Sequence, residues 1–120
     1  MAADSNEFEQ ARIKHLLFKS KLRAILLGAK IEEGPVLSEH ECPFGQWMQT
    51  YLLKACAEFP ELKEMERLHT EMHREARLVV KQYHAGNEPS EDSLAKIEQM
   101  GQQVMGMLDA LEEKCGDTKA

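Results

Sequence analysis

One cysteine of the chain lies directly before a predicted helix. The segment SEHECPFGQWMQ, residues 38–49, places Cys42 before Pro43, and Gly45 and the chain's only tryptophan, Trp47, follow. Proline suits the first helical position, because its missing N–H would have no partner there. Cys42 is therefore predicted to be the N-cap, where Ser, Thr, Asp or Asn would cap better. A thiolate there gains from the positive end of the helix dipole, which lowers its pKa, so we expect a metal ligand.

Three histidines occupy positions where a helical core stripe normally carries apolar residues. His69 and His73 are four residues apart and project from one helix face, and His15 lies in the stripe of the first helix. A single histidine in such a stripe is more often a hydrogen-bonded core residue. Helical bundles, however, build metal sites from side chains on facing helices. With Cys42, the three histidines make a set of four Cys/His ligands, the usual composition of closed zinc sites. We therefore predict that Zn²⁺ binds at His15, Cys42, His69 and His73.

Neighbouring polar residues are given simpler roles. His40 is two positions from Cys42, but it lies between two glutamates and is expected to be solvated. Cys56 is several helical turns beyond Cys42, so it cannot reach the same ion and is expected to be a buried small hydrophobe. Cys115 is expected to be free, because three cysteines without a secretory context argue against a disulfide framework. Glu66 is a candidate acceptor for an imidazole N–H.

Composition limits the class of protein. The chain has 120 residues, which predicts a single domain over 1–120 with an ordered core at about 6–114. Only 6% of its residues are aromatic and 42% are hydrophobic, which favours a helical bundle. The net charge is -6 and no basic cluster stands clear of acidic neighbours, so nucleic acid is not an expected partner. No apolar run is long enough to span a membrane and no signal core is present, so a cytoplasmic location is expected.

The apolar periodicity predicts four helices. Gly-Pro, Phe-Pro and the turn sequence HAGNEPSEDS separate the periodic segments. Short connections between helices favour antiparallel packing. We therefore predict an all-α, antiparallel four-helix bundle with helices at about 6–33, 43–58, 61–83 and 90–114.

The first helix carries a second apolar stripe. One stripe is enough for the face that a helix buries in a bundle, and monomers seldom leave a contiguous apolar patch exposed. A twofold homodimer is therefore expected. The predicted contact stripe comprises Ile13, Leu17, Ala24, Leu27 and Ile31.

The order of the cysteine and histidine motifs resembles a known family. CPFGQW at 42–47 fits the pattern Cys-x-x-Phe/Leu-Gly-x-Trp, with HLLF at 15–18 upstream and HTEMH at 69–73 downstream. Together they resemble the chemoreceptor zinc-binding domain, or CZB, family. Phe18 departs from the tryptophan that the family often has there, which is a conservative change in packing. The resemblance implies an all-helical and commonly homodimeric bundle, in which one zinc ion is held by His15, Cys42, His69 and His73.

The same resemblance implies a function in bacterial signalling. Members of the family are usually fused to chemoreceptors or diguanylate cyclases, and report zinc availability or oxidants such as hypochlorous acid through the zinc-bound cysteine. Cys42 is then the expected redox-reactive residue. The alternatives are that Cys56 or Cys115 reacts first, because a zinc-held sulfur is partly shielded, or that Cys42 serves only to hold the metal for zinc sensing. The chain has no room for such an output domain, so we expect a free-standing member or an excised piece. A free-standing member would act on a signalling partner in trans.

Other classes of function remain open on the sequence. An enzyme is not predicted, because catalytic zinc usually has three protein ligands and an open position, and the sequence has no HExxH motif. A diiron or oxygen-binding bundle would need paired Glu-x-x-His units. Glu66 and His69 form one such unit and the sequence has no second. A purely structural zinc bundle would use the same four ligands without any signal.

Overall fold

Helices make up almost all of the structure, a computed structural model that describes residues 3–117, with side chains from residue 5 to residue 115. The predicted all-α class is confirmed, apart from a two-residue parallel pairing of β1 (Ala3–Asp4) with β2 (Gly116–Asp117). None of the described helices is both long and apolar enough to cross a membrane. The helices are α1 (Ser5–Leu26), α2 (Gly34–Leu37), α3 (Pro43–Trp47), α4 (Leu53–Ala55), α5 (Pro60–His84) and α6 (Glu91–Cys115).

The first helix ends at Leu26, earlier than the predicted end near residue 33. Gly28 has a φ of 94°, in the left-handed region that favours glycine. Its amide donates to the carbonyl of Ile25 at 3.0 Å, and the following amide donates to the carbonyl of Ala24 at 2.9 Å. These two bonds form a Schellman motif, which closes a helix. The prediction took the later Gly-Pro pair as the helix end and missed this one.

Cys42 lies at the start of the second predicted helix. Cys42 has extended backbone angles (φ −73°, ψ 127°) directly before Pro43, so the predicted N-cap position is confirmed. A π-helical turn, Met48–Leu52, joins α3 to α4 into one continuous stretch that ends at Ala55, before the predicted residue 58. No pattern in the sequence predicts this π turn, a feature found frequently at functional sites.

Ion pairs define how α6 runs against α1. Arg12 of α1 contacts Asp109 of α6 at 2.7 Å, and Lys19 contacts Glu98 at 3.2 Å. Residue numbers rise along one helix while they fall along the other, so the two helices are antiparallel. The short connection over residues 85–90 makes α5 and α6 an antiparallel hairpin as well, as the bundle prediction requires.

The apolar core has two parts, with a layer of buried histidines between them. Phe44 belongs to the first part and Phe18 to the second. The ring of His15 contacts both phenylalanine rings, that of His69 contacts Phe44, and that of His73 contacts Phe18. The histidines therefore lie where the two apolar clusters meet.

The two remaining cysteines correct the sequence prediction. Cys56 and Cys115 form a disulfide, with their Cα atoms 5.9 Å apart, so the expectation of a free Cys115 and an unpaired Cys56 was wrong. The bond links the residue after α4 to the last residue of α6. Spacing in the sequence could not reveal it, because the bundle topology alone brings these positions together. Cys42 is the free, buried cysteine.

Candidate metal centre

Three of the four predicted ligands converge in the histidine layer. Cys42, His69 and His73 each offer a ligand atom, and these atoms all lie within 4.8 Å of one another. The start of α3 supplies the sulfur, while the four-residue spacing on α5 places both imidazoles on one helix face. The three residues are 1%, 2% and 0% exposed, respectively. We call this group the Cys-His-His cluster.

The two histidines of the cluster are spaced as ligands of one small ion would be. Their Nε2 atoms are 3.1 Å apart. Zinc–nitrogen bonds of ~2.0–2.1 Å in a tetrahedral site place two ligand nitrogens roughly 3.3 Å apart. His73 Nδ1 lies 2.6 Å from the carbonyl oxygen of Val36, to which it donates its proton. That bond leaves the lone pair of His73 on Nε2, which faces His69.

Burial keeps the imidazoles in the form that binds metals. It lowers the pKa of His69 to about 3 and that of His15 to about 4. Burial also lowers the pKa of His73, an effect that the hydrogen bond to the Val36 carbonyl opposes. All three rings are therefore neutral at pH 7, with a lone pair available for a cation.

The thiol of Cys42 differs from the expectation drawn from the helix dipole. Burial raises its pKa above the ordinary value, while the neighbouring backbone amides of Gly45 and Phe44 act in the opposite direction. The predicted lowering of the pKa by the helix N-terminus is therefore wrong for the metal-free protein, because desolvation outweighs the dipole. A metal ion that bound this sulfur would displace the proton.

His15 lies beside the cluster but is not part of it at this spacing. It is 4% exposed, and within residues 5–115 nothing hydrogen-bonds its buried Nδ1. A buried imidazole nitrogen without a partner is costly and calls for an explanation. Its ring contacts Phe44, which also contacts His69, and Phe18, which also contacts His73, so it lies close to the cluster. The role of His15 as a fourth ligand stays a prediction, and its unpartnered nitrogen is consistent with that role.

Tight packing surrounds the cluster. At Gly45, an added Cβ would lie 2.2 Å from the carbonyl oxygen of Glu39 and 2.9 Å from Cε1 of His69, so only glycine fits. Phe44 covers His69, with ring centroids 5.3 Å apart. Trp47 contacts Phe44 and donates from Nε1 to Glu7 at 2.8 Å.

The other polar residues considered from the sequence lie elsewhere. His40 is exposed, as expected, and is not in the cluster. Glu66 accepts a hydrogen bond from Gln49 at 3.0 Å, and the imidazole acceptor is the Val36 carbonyl instead. A backbone carbonyl leaves no trace in residue type, so sequence reasoning could not have found this acceptor.

The donor set favours zinc over a pair of iron ions. Within the part of the chain with described side chains, the cluster holds one thiol and two imidazoles and no carboxylate. Diiron bundles use a ring of glutamates with histidines, whereas cysteine and histidine together are typical of closed zinc sites. The residues present therefore fit a zinc ion.

The comparisons with known proteins agree with this donor set. The model of the chemoreceptor zinc-binding domain, CZB, matches residues 15–80, a range that includes His15 and the whole Cys-His-His cluster. That family is a zinc-binding one and not a catalytic one. Comparison with curated proteins and with solved structures gave no match. Because the family model covers more than half of the chain, the protein belongs to the chemoreceptor zinc-binding domain family.

Proposed function

We propose that this protein is a zinc-binding regulatory domain of bacterial signalling. The observation that carries the proposal is the convergence of Cys42, His69 and His73, fully buried and within 4.8 Å, inside the segment that matches the family. Bound zinc would hold the sulfur as a thiolate and link the start of α3 to α5. Any change that weakens this zinc-mediated link between α3 and α5 would then act as the regulatory signal.

His15 completes the proposed set of four ligands. The residue is on α1, so its participation would connect a third helix to the cluster. Its unpartnered Nδ1 would gain a partner, and a fourth ligand closes the tetrahedral shell against water. The closed shell supports a regulatory role over a catalytic one.

The proposed signal is either the zinc level or an oxidant such as hypochlorous acid. Cys42 is the free cysteine, whereas Cys56 and Cys115 already share a disulfide. In the net reaction with hypochlorous acid, the Cys42 thiolate gives two electrons, the Cl–O bond breaks, chloride leaves and the sulfur gains an oxygen as sulfenic acid. The weaker ligand that results would loosen the start of α3, which is the change a partner would read.

A homodimer and a signalling partner complete the proposal. Ile13 and Leu17 on α1 are 54% and 45% exposed, and Leu27, directly after α1, is 77% exposed, which supports a dimer through the second stripe. Ile31 of that stripe is 38% exposed but lies beyond the end of α1. The signalling partner would be a chemoreceptor, a diguanylate cyclase or another signalling protein.

Zinc content and its response to two reagents test the proposal. We expect elemental analysis of the purified protein to give one zinc per chain, and Cys42→Ser to lose it while the matched His40→Ala keeps it. Parallel titrations with a zinc chelator and with hypochlorous acid then separate the two signals. Absence of zinc from the wild type after growth with zinc would overturn the function.

Mass spectrometry after substoichiometric hypochlorous acid decides whether the thiol is the switch. Oxidant sensing requires sulfenic acid, or its further oxidation products, at Cys42 together with zinc release. Oxidation of methionines alone, with Cys42 and the zinc intact, would favour zinc sensing. If neither reagent changed the helix packing, the site would be a structural zinc bundle.

A further inference from the structure

A surface pocket between α1 and α6 reaches the histidine layer. It has a volume of about 450 Å³, and its lining includes Arg12, His15, Lys19, Gly101, Met105 and Gly106. We call it the His15 pocket. His15 is the predicted ligand that lines it, whereas a neighbouring apolar groove lined by Leu22 and Leu94, among others, contains none of the four predicted ligands.

His15 separates this pocket from the Cys-His-His cluster. On one side it lines the pocket, and on the other its ring contacts Phe44 and Phe18, the rings that cover His69 and His73. The cluster itself is almost fully buried. An ion or small molecule that enters the pocket therefore meets His15 before the other three residues.

Two glycines are among the α6 residues that line the pocket. An added Cβ at Gly101 would lie 3.1 Å from Nε2 of His15, a tight contact that explains this glycine by packing. An added Cβ at Gly106 would have no heavy atom within 4 Å. Glycine inside a helix costs roughly 0.5–1 kcal/mol relative to alanine. Packing therefore does not require glycine at Gly106, and a larger side chain there would enter open space.

We propose that the His15 pocket is the route by which zinc and small oxidants reach the buried sulfur of Cys42, with His15 as the ligand that opens it. This proposal rests on the proposed zinc-binding function. Movement of the His15 ring toward the pocket exposes the layer behind it, while Cys42, His69 and His73 keep their places in the cluster. Metal exchange then needs only the outermost ligand to detach.

Filling the pocket tests the route. Gly106→Phe places a large side chain where a Cβ meets open space. We expect it to keep one zinc per chain and to slow zinc transfer to excess EDTA about tenfold, a barrier change of about 1.4 kcal/mol. Gly106→Ala stiffens the helix without filling the pocket, and Ala95→Phe adds the same ring at an exposed α6 position outside the pocket lining. Both controls should exchange zinc at the wild-type rate.

A second measurement needs no metal. In the metal-free protein, we expect methyl methanethiosulfonate to label Cys42 about tenfold more slowly in Gly106→Phe than in either control. Equal rates in all variants would overturn the route, even if zinc binds normally. Equal slowing in Gly106→Ala and Gly106→Phe would also overturn it, because local unfolding of α6 would then control access. If the protein bound no zinc, the function would fail, and the labelling rates would still decide whether the pocket leads to Cys42.

Discussion

The imidazole of His73 donates from Nδ1 to the carbonyl oxygen of Val36 at 2.6 Å. This bond fixes the tautomer of His73, because a carbonyl can only accept. In the metal-free protein at pH 7, we expect His73 to carry its proton on Nδ1. His69 should carry its proton on Nε2, so that it can donate across the 3.1 Å separation to His73 Nε2. Two-bond nitrogen–proton NMR correlations report both tautomers, and a proton on His73 Nε2 would contradict this arrangement.

His15 and His69 should differ in what they contribute to zinc binding. His69→Ala removes a member of the Cys-His-His cluster, so we expect the protein to lose stoichiometric zinc. His15→Ala leaves the cluster intact and should retain zinc with weaker affinity, because a solvent molecule can replace the outer ligand. Competition with a chromogenic chelator measures both affinities. Equal losses in the two variants would show that His15 is bound as tightly as the others.

The disulfide should dominate the stability of the C-terminal end of the bundle. The bond separates two cysteines by 59 positions. In the chain-entropy model, a loop of this length is worth about 4 kcal/mol. Cys115→Ser should therefore lower the free energy of unfolding by about that amount in oxidising buffer. Urea unfolding measures the difference, and excess dithiothreitol should abolish it. Cys42→Ser is the matched control, because it should leave the effect of dithiothreitol unchanged.

The buried histidines should make the metal-free protein sensitive to acid. The pKa values of His69 and His15 are about 3 and about 4 in the folded state, against about 6.5 for an unperturbed histidine. The unfolded chain therefore binds more protons between these limits, and the free energy of unfolding falls as the pH drops from about 6.5.

Replacing one of the buried histidines tests the predicted direction of this pH dependence. In EDTA, we expect the free energy of unfolding of His69→Leu to change less between pH 7 and pH 5 than that of the wild type. His40→Leu replaces an exposed histidine outside the cluster and should keep the wild-type slope. A wild-type stability that rose on acidification would contradict the buried, neutral state of the rings.

The exposed stripe of α1 should determine the oligomeric state. Leu17→Glu puts a charge in the middle of the stripe, where a dimer would bury it without a partner. We expect the variant to be a monomer and the wild type a dimer in light scattering at micromolar concentration. Leu78 on α5 is 47% exposed, outside the stripe, and Leu78→Glu should remain dimeric. A monomeric wild type would refute the proposed interface.

Residue type and helical period predicted the convergence of Cys42, His69 and His73. The four-residue spacing puts two imidazoles on one face, and the Cys-Pro pair marks a helix start, so both signals are local. Signals of the same kind predicted a helical bundle, because the apolar periodicity between the glycine and proline turns is read from residues close together in the sequence. The end of α1 was missed, although Gly28 carries the signal of a Schellman motif.

The features that the sequence analysis missed depend on contacts between segments distant in sequence. The pairing of Cys56 with Cys115, the carbonyl acceptor of His73 and the raised pKa of Cys42 all follow from tertiary packing. The pKa of Cys42 is instructive, since the helix dipole was identified correctly. Burial depth, which the sequence does not specify, decided the direction of the shift.

The stretch from α3 to α4 has a cysteine at each end. Cys42 at its start faces the two imidazoles, and Cys56 after its end is bonded to α6. With zinc bound at Cys42, this stretch would be anchored at both ends, to α5 through the metal and to α6 through the disulfide. The π turn at Met48–Leu52, where the backbone winding departs from the α-helix, lies between the two anchors. Loss of the ligand at Cys42 would release one anchor and leave the disulfide in place, so we expect the start of α3 to move while the end at Cys56 stays on α6.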